Sequence, residues 1–257
     1  MMEVHPVHAF DDNYIWLIGC QDNPHVAIVD PGDEEPVIAR IERDCLRPEA
    51  ILITHHHADH TGGAAALARR YGIPVYGPAN ERIAAVSHPL GEGDTVELSG
   101  CGLRFSVLDT PGHTRGHICY LGQHALFCGD TLFAGGCGRL FEGTPEQMYH
   151  SLEKIRALDG DTRLYCAHEY TVANLIFALV AEPQNRDIQQ RLEQARVLRS
   201  EGRDTVPSSL AEEKRTNPFL RSHVPALIQA AERFAGHPLD GPVEVFATVR
   251  RWKDSLD

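Results

Sequence analysis

The sequence predicts an α/β layered domain followed by a helical domain. From residue 1 to about 170, short apolar runs that end in Gly, Pro, Asp or His alternate with helical stretches, and this alternation is typical of a layered α/β fold. From residue 174 onward the pattern is helical, with polar and proline-containing connections. We therefore expect two domains, the first over residues 1–173 and the second over residues 174–257.

Strands of the first domain are predicted where runs of apolar and β-branched residues are bounded by turn-forming residues. The predicted strands cover residues 14–19, 26–30, 50–54, 74–76, 103–109, 118–121, 125–128 and 163–166. Helices are predicted from apolar residues at helical spacing and from capping residues at their ends, with Thr144 as an N-cap and Gly72 as a stop. The predicted helices cover residues 34–44, 63–70 and 145–158 in the first domain, and 174–182, 187–202, 224–236 and 243–256 in the second.

Composition limits the partners of this chain. Its 257 residues carry 24 Lys and Arg against 36 Asp and Glu, a formal net charge of −12, which argues against nucleic acid or an anionic membrane as a partner. The seven cysteines are odd in number and contain no C-x-x-C pair, so we expect reduced thiols rather than a disulfide framework. Since we also find no secretory or membrane-spanning segment, we expect a cytoplasmic protein, and we expect it to be a monomer.

The stretch AILITHHHADHTGG at residues 50–63 brings four possible metal ligands together in sequence, His55, His57, Asp59 and His60. They follow a buried strand, and the carboxyl end of a strand is where open α/β sheets place their sites. His55 and His57 are two residues apart and share a face of an extended segment, whereas Asp59 and His60 follow after a turn. Gly62 and Gly63 are expected to let the backbone pass close to whatever the loop holds.

Three other predicted strand ends offer further ligands. His113 follows the strand at 103–109, Asp130 follows the strand at 125–128, and His168 follows the strand at 163–166. Two imidazoles do not complete a metal shell, so ligands from distant sequence are required. The repeated layout of a polar side chain just past an apolar run therefore predicts metal ligands assembled from several strand ends, and the histidine-rich segment can supply two ligands to each of two adjacent sites.

These motifs resemble the metallo-β-lactamase superfamily, whose signature H-x-H-x-D-H stands here at residues 55–60. Within it the chain is most similar to the glyoxalase II (hydroxyacylglutathione hydrolase) family. The stretches that carry the resemblance are DNYIWLI, THHHADHTGG, PGHTRGHI, CGDTLFAGGCGRLFEGT, YCAHEYT, RTNPFLR and RRWKD. The resemblance spans essentially the whole chain and implies an αβ/βα sandwich with a C-terminal helical domain.

The resemblance implies two metal ions per chain, with zinc expected and iron or manganese also compatible with histidine and carboxylate ligands. The implied ligands are His55, His57 and His113 for metal one, Asp59, His60 and His168 for metal two, and Asp130 as a bridge between them. It implies hydrolysis of S-D-lactoylglutathione and other S-2-hydroxyacylglutathiones to the 2-hydroxy acid and glutathione, the second step of methylglyoxal detoxification. A hydroxide held between the metals would attack the thioester, with Asp59 and Asp130 as the catalytic side chains.

The resemblance also assigns substrate contacts. Arg250 and Lys253 match positions that hold the glycine carboxylate of glutathione, and their spacing puts them on one helix face. Arg139 and Tyr170 match positions near the metals. Phe141 departs from the pattern, because some family members carry tyrosine there. The first domain would thus be catalytic and the helical domain would bind substrate.

Several alternatives stay open at this point. An iron-dependent glutathione persulfide dioxygenase also takes a glutathione adduct but uses a single iron, and a metal-binding module without catalysis is a further reading. A nuclease is disfavoured by charge, and a β-lactamase by the lack of a signal peptide. We expect His56 to be no ligand, His117 either to orient a ligand or to be structural, and Asp30 either to support the site or to form a turn. Cys137 and Cys166 are interpreted as packing residues.

Overall fold

The described chain, residues 1–256 of a computed structural model, falls into two units. The first unit comprises Met1–Asp109 and Arg115–Gly129, and the second comprises Thr110–Thr114 and the chain from Asp130 onward. No helix among residues 1–256 is long and apolar enough to cross a membrane.

Six strands form the first sheet of the first unit, in the order in which they occur along the chain. They are β1 (Met2–Ala9), β2 (Asn13–Cys20), β3 (Asn23–Val29), β4 (Arg47–Leu52), β5 (Val75–Pro78) and β6 (His88–Leu90). The first three pair antiparallel, and β3 to β6 run parallel. The crossovers after β3 and β4 contain α1 (Glu34–Arg43), α2 (Ala58–Thr61) and α3 (Ala64–Tyr71).

The core of this unit lies between the first sheet and its helices. Leu17, Ile28 and Ile51 of the sheet are fully buried and cluster with Val37 of α1 and Leu67 of α3. Burying one such side chain stabilises the fold by roughly 1.5–3 kcal/mol. Because β3 and β4 are parallel neighbours, their carboxyl ends meet at the same edge of the sheet, where the chain continues into Asp30 and into the histidine-rich loop.

A second, antiparallel sheet of the first unit contains β7 (Thr95–Leu98), β8 (Leu103–Asp109), β9 (Ile118–Gly122) and β10 (Ala125–Gly129) in the order β7-β8-β9-β10. It packs on the first sheet, and the Tyr120 hydroxyl donates a 2.8 Å hydrogen bond to the Ile53 carbonyl. Ile118 N–H donates to the Thr54 carbonyl at 3.0 Å. These contacts hold the start of the histidine-rich loop against β9.

The second unit is mainly helical. Its helices are α4 (Pro145–Arg156), α5 (Thr171–Ala181), α6 (Arg186–Ser200), α7 (Leu210–Thr216), α8 (Pro225–Ala235) and α9 (Gly241–Asp254), with a 3-10 turn at Pro218–Leu220. Its strands are a hairpin of β11 (Leu132–Phe133) and β12 (Gly136–Cys137), and the antiparallel pair β13 (Arg163–Cys166) and β14 (Ser208–Ser209). Thr144 is the N-cap of α4 as predicted, in a reciprocal capping box with Gln147.

Every predicted strand and helix is present, with ends that move by a few residues. The strand predicted at 50–54 is Arg47–Leu52, and the helix predicted from residue 174 begins at Thr171. The boundary at 173 and 174 therefore falls inside α5, and the division into domains there stays a prediction.

Several elements were missed. β1 was missed because the alternation of apolar and polar residues in MEVHPVHA breaks at Pro6 and Val7, and a proline inside a run argues against a strand. Helix α7 was missed because LAEEKRT has few apolar residues. The remaining omissions are four residues long or shorter, too short for a periodic signal; they are α2, β6, β7, β11, β12, β14 and the 3-10 turn. The tail is therefore not purely helical, since β14 lies within it.

Candidate metal centre

The loop that follows β4 gathers the four predicted ligands of the first unit. His55 and His60 are fully buried, and their ring centroids are 4.0 Å apart. The ring of His57 lies 4.6 Å from that of His55. Asp59 joins them, with its Oδ2 at 3.4 Å from His60 Nε2. Three imidazoles and one carboxylate thus occupy one small region, as the spacing predicted.

The two glycines of this loop lie against the backbone of the loop that follows β3. A Cβ on Gly62 would lie 2.4 Å from the Gly32 carbonyl oxygen, and a Cβ on Gly63 would lie 2.5 Å from the Glu34 nitrogen. Gly63 N–H donates to the Pro31 carbonyl at 2.9 Å. These glycines therefore let the histidine-rich loop approach the backbone of the loop after β3, which ties the two loops together.

Hydrogen bonds define which imidazole nitrogens are available as ligands. His60 Nδ1 lies 3.1 Å from Asp30 Oδ2, and because an ionised carboxylate only accepts, Nδ1 carries the proton. His55 Nδ1 lies 3.1 Å from Thr54 Oγ1, whose own proton is donated to Asp30 Oδ2 at 2.7 Å. In both rings Nε2 is therefore the basic nitrogen, which is the tautomer a metal ligand requires.

Asn13 holds the carboxylate of Asp59. Its side-chain amide donates to Asp59 Oδ2 at 3.1 Å and to the Asp59 carbonyl at 3.4 Å. Sequence reasoning missed this contact, although Asn13 lies in the stretch DNYIWLI that carries part of the resemblance. The two residues are 46 positions apart, so no local pattern links them.

The two neighbouring histidines differ in direction. His56 points its Nδ1 at Glu81 Oε2, 2.9 Å away, in agreement with its exclusion from the ligand set. His117 is fully buried and its ring stacks on His55 with centroids 4.9 Å apart and an interplanar angle of 24°. His117 therefore borders the ligand group and helps to fix the His55 ring.

The second unit contains the other three predicted ligands. Asp130 lies between two imidazoles, with Oδ2 at 3.3 Å from His113 Nε2 and Oδ1 at 3.4 Å from His168 Nε2. All three side chains are buried. His113 Nδ1 lies 2.8 Å from the carbonyl of Arg139, an obligate acceptor, so Nε2 is again the basic nitrogen. Asp130 thus presents one carboxylate oxygen to each of the two imidazoles.

A cavity of about 420 Å³ in the second unit is bordered by two of these three side chains. Its lining includes His113 and Asp130, and all four predicted substrate contacts, Arg139, Tyr170, Arg250 and Lys253. The ring of Tyr170 stacks on His168 with centroids 4.9 Å apart. Phe141 is 64% exposed, and its ring meets His113 edge-on with centroids 5.3 Å apart.

Arg250 and Lys253 are buried cations of α9. Arg250 is only 3% exposed; its guanidinium donates to the Cys137 carbonyl at 3.0 Å, forms a 2.9 Å ion pair with Asp254, and lies 4.9 Å from the Phe219 ring centroid. The Lys253 ammonium lies 6.0 Å from the Phe177 ring centroid. Arg250 therefore also holds Cys137 in the wall of the cavity, a contact that no sequence pattern predicted.

The cysteines near the site are packing residues, as predicted. Burial raises the pKa of the Cys137 thiol to about 11 and that of the Cys166 thiol to about 12. Both thiols are therefore neutral at pH 7 and are poor nucleophiles. All seven cysteines of the chain lie in the described range, and none of them forms a disulfide bond.

A buried ion pair supports the cavity wall from behind. Arg191 Nη2 lies 2.5 Å from Glu213 Oε1, and Glu213 Oε2 accepts from Gly135 N–H at 2.9 Å and from the Asn217 amide at 3.0 Å. Asn217 also donates to the carbonyls of Phe133 and Gly136. These bonds fix the β11–β12 hairpin, which contributes Phe133 and Cys137 to the cavity. Of Arg191, Glu213 and Asn217, only Asn217 lies in one of the stretches that carry the family resemblance.

Two family models match successive parts of the chain, and they meet at residues 168 and 169, within the second unit. Residues 9–168 match the family described as the metallo-beta-lactamase superfamily, and residues 169–256 match the one described as hydroxyacylglutathione hydrolase C-terminus. A hydroxyacylglutathione hydrolase of Alkalilimnicola ehrlichii is 58% identical over 99% of both chains, and one of Nitrosomonas eutropha is 52% identical over all of both chains. The crystal structure of ETHE1 from Myxococcus xanthus is 26% identical with a TM-score of 0.65, over 99% of both chains. The predicted fold class is confirmed.

Proposed function

The chain belongs to the hydroxyacylglutathione hydrolase family of the metallo-β-lactamase superfamily, and from this membership we propose how its side chains perform the reaction. The protein is a thioester hydrolase that converts S-D-lactoylglutathione and related 2-hydroxyacyl thioesters to the 2-hydroxy acid and glutathione. The observation that carries the proposed site is the cavity that Asp130 shares with Arg250 and Lys253. It joins a metal-ligand carboxylate to the cations that a glutathione carboxylate needs.

The donor set of both units suits a pair of divalent metal ions. His55, His60 and His113 each commit Nδ1 to an acceptor, so Nε2 is the donor atom in every case. Five imidazoles and two carboxylates favour zinc, which we propose as the metal, over calcium or magnesium. The proposed ligands are His55, His57 and His113 for metal one, Asp59, His60 and His168 for metal two, and Asp130 for both.

Two bound ions supply Lewis-acid charge for the thioester carbonyl and a hydroxide nucleophile at neutral pH. The side chains of the protein orient and hold the groups that this chemistry needs. Asp130 faces one oxygen toward each of His113 and His168, and Asn13 holds Asp59 through Oδ2. The neutral thiols of Cys137 and Cys166 offer no competing nucleophile, so no covalent acyl-enzyme is expected.

The substrate is proposed to lie in the cavity of the second unit. Arg250 and Lys253 would bind the glycine carboxylate of glutathione, since charge-assisted hydrogen bonds from buried cations suit a carboxylate. Arg139 and Tyr170 would contact the portion near the thioester. In a chain with net charge −12, these local cations are what attract an anionic substrate.

We also propose the domain division, the cellular location and the oligomeric state of the protein. We propose a catalytic domain over residues 1–173 and a substrate-binding domain over residues 174–257; the two family matches meet at residues 168 and 169, five residues earlier. We propose a cytoplasmic location, supported by seven cysteines that form no disulfide bond among the described residues, and a monomer with no nucleic-acid or membrane partner.

The direct test is to assay the purified protein for hydrolysis of S-D-lactoylglutathione and to measure its metal content on the same sample. We expect thioester loss with release of one free thiol per molecule hydrolysed. The control substrate is glutathione persulfide, for which we expect no oxygen uptake. Oxygen uptake with one iron per chain, and no thioester hydrolysis, would contradict the proposal.

A further inference from the structure

Asp30 lies at the carboxyl end of β3 and is 3% exposed. Its Oδ1 accepts from Thr54 N–H at 2.8 Å, and its Oδ2 accepts from Thr54 Oγ1 at 2.7 Å and from His60 Nδ1 at 3.1 Å. Three donors therefore converge on one buried carboxylate. A merely turn-forming aspartate would bond to the backbone that immediately follows it, whereas these partners lie 24 and 30 residues further along the chain.

The bond to His60 is direct, and the bond to His55 runs through Thr54. Because Thr54 Oγ1 donates its only proton to Asp30, its lone pair can accept the Nδ1 proton of His55, 3.1 Å away. Asp30 thus fixes the tautomer of both rings and points both Nε2 atoms away from the carboxylate. Such bonds also raise the basicity of the imidazole as a ligand.

We infer that Asp30 is a positioning residue that couples the two metal sites, acting directly on His60 and through the Thr54 hydroxyl on His55. This inference rests on the proposed function, in which His55 belongs to metal one and His60 to metal two. It follows that the two sites share one supporting carboxylate although they share neither histidine. A change at Asp30 must weaken both sites, whereas a change at the Thr54 hydroxyl must weaken metal one alone.

The backbone at Asp30 decides which variant tests this. Asp30 has φ of 50°, a left-handed conformation that asparagine tolerates and most other residues do not. Asp30→Asn therefore removes the charge and one acceptor oxygen without adding backbone strain. Thr54→Val keeps the shape of the side chain and its N–H bond but removes the hydroxyl, and Thr54→Ser restores the hydroxyl as the matched control.

The experiment is competition for Zn²⁺ between the metal-stripped protein and a chromophoric chelator, which gives one dissociation constant for each ion bound. His113→Ala and His168→Ala assign the two constants, since each removes one proposed ligand of one metal. We expect Thr54→Val to weaken metal one by about 10-fold or more and to leave metal two unchanged, and Thr54→Ser to bind both metals like the wild type. We expect Asp30→Asn to weaken both metals by about 10- to 100-fold.

Circular dichroism of the metal-stripped variants checks that each is folded. If Thr54→Val or Asp30→Asn fails this check, the other of these two variants carries the test. The inference is overturned if folded Thr54→Val or Asp30→Asn binds both ions as the wild type does, or if Thr54→Val weakens both equally. Failure of the proposed function would look different, because the wild type itself would then not bind two ions per chain.

Discussion

Replacing Arg250 by methionine separates the two roles of that side chain. Methionine keeps an unbranched chain that can fill the space against Phe219, but it removes the guanidinium that we propose to bind the glycine carboxylate. A hydrogen bond to a charged partner contributes about 1.5–3 kcal/mol, which corresponds to a rise in KM of roughly 10- to 100-fold. Since the carboxylate lies far from the bond that breaks, kcat is expected to stay within about twofold of the wild type.

Replacing Arg250 is also expected to lower the stability of the fold, and this effect has to be measured separately from the change in KM. Arg250 donates to the Cys137 carbonyl at 3.0 Å, and losing the donor to a buried carbonyl costs about 1–3 kcal/mol of stability. The free energy of unfolding is therefore measured for the same variant by urea titration. Arg251→Met is the matched control, because Arg251 is the next residue of α9 and is exposed; it should leave KM unchanged.

Steady-state kinetics with S-D-lactoylglutathione decide the outcome. A folded Arg250→Met variant with a raised KM and near-normal kcat supports the assignment. A fall in kcat with KM unchanged would refute it, because the side chain would then act in the transition state alone. An equal rise in KM for Arg251→Met would refute it as well, since the effect would then reflect general charge.

Three further changes test other parts of the site. Asp130→Asn should lower the metal content and reduce kcat by more than about 100-fold, and normal metal content with full turnover would be incompatible with a bridging role. Glu213→Gln removes the closer of the two carboxylates that pair with the buried Arg191, leaving Glu212 Oε2 at 3.4 Å, and should lower the free energy of unfolding by up to about 3 kcal/mol at pH 7. Burial acts to raise the pKa of Glu213, but attraction and hydrogen bonds from Arg191 outweigh it and hold the pKa below its usual value. The difference in free energy of unfolding between wild type and variant should therefore be complete above about pH 4.5 and shrink as the pH falls below it. A difference that does not depend on pH would contradict this role of Glu213. Phe141→Tyr gives the cavity the hydroxyl that some family members carry and should lower KM by about two- to tenfold, while an unchanged KM would mean that residue 141 does not reach the substrate.

The candidate ligands were predictable because each follows an apolar strand in the sequence. His113, Asp130 and His168 were found by that layout, and the structure places Asp130 between the other two. The spacing also indicated that the histidine-rich segment could supply two ligands to each of two adjacent sites. Which distant residue completes which site came from the family resemblance and stays a proposal.

The supporting contacts were largely hidden from the sequence. Asn13 reaches Asp59 across 46 positions, and Arg191 reaches Glu213 across 22. Such pairs form only when the chain folds, and neither has a local pattern that marks it. Gly62 was expected to bring the backbone close to a bound group. The structure shows that a Cβ at this position would lie 2.4 Å from the Gly32 carbonyl oxygen, and no local sequence pattern indicates this neighbour.

The central claim is that two metal ions act together in one thioester hydrolase. It is tested most directly by adding Zn²⁺ stepwise to the metal-stripped protein and following the initial rate of S-D-lactoylglutathione hydrolysis. We expect the rate of hydrolysis to rise to its maximum at two equivalents of Zn²⁺ per chain, and we expect the Asp130→Asn variant not to reach this maximal rate. Full activity at one equivalent, or hydrolysis by the metal-stripped protein, would contradict it.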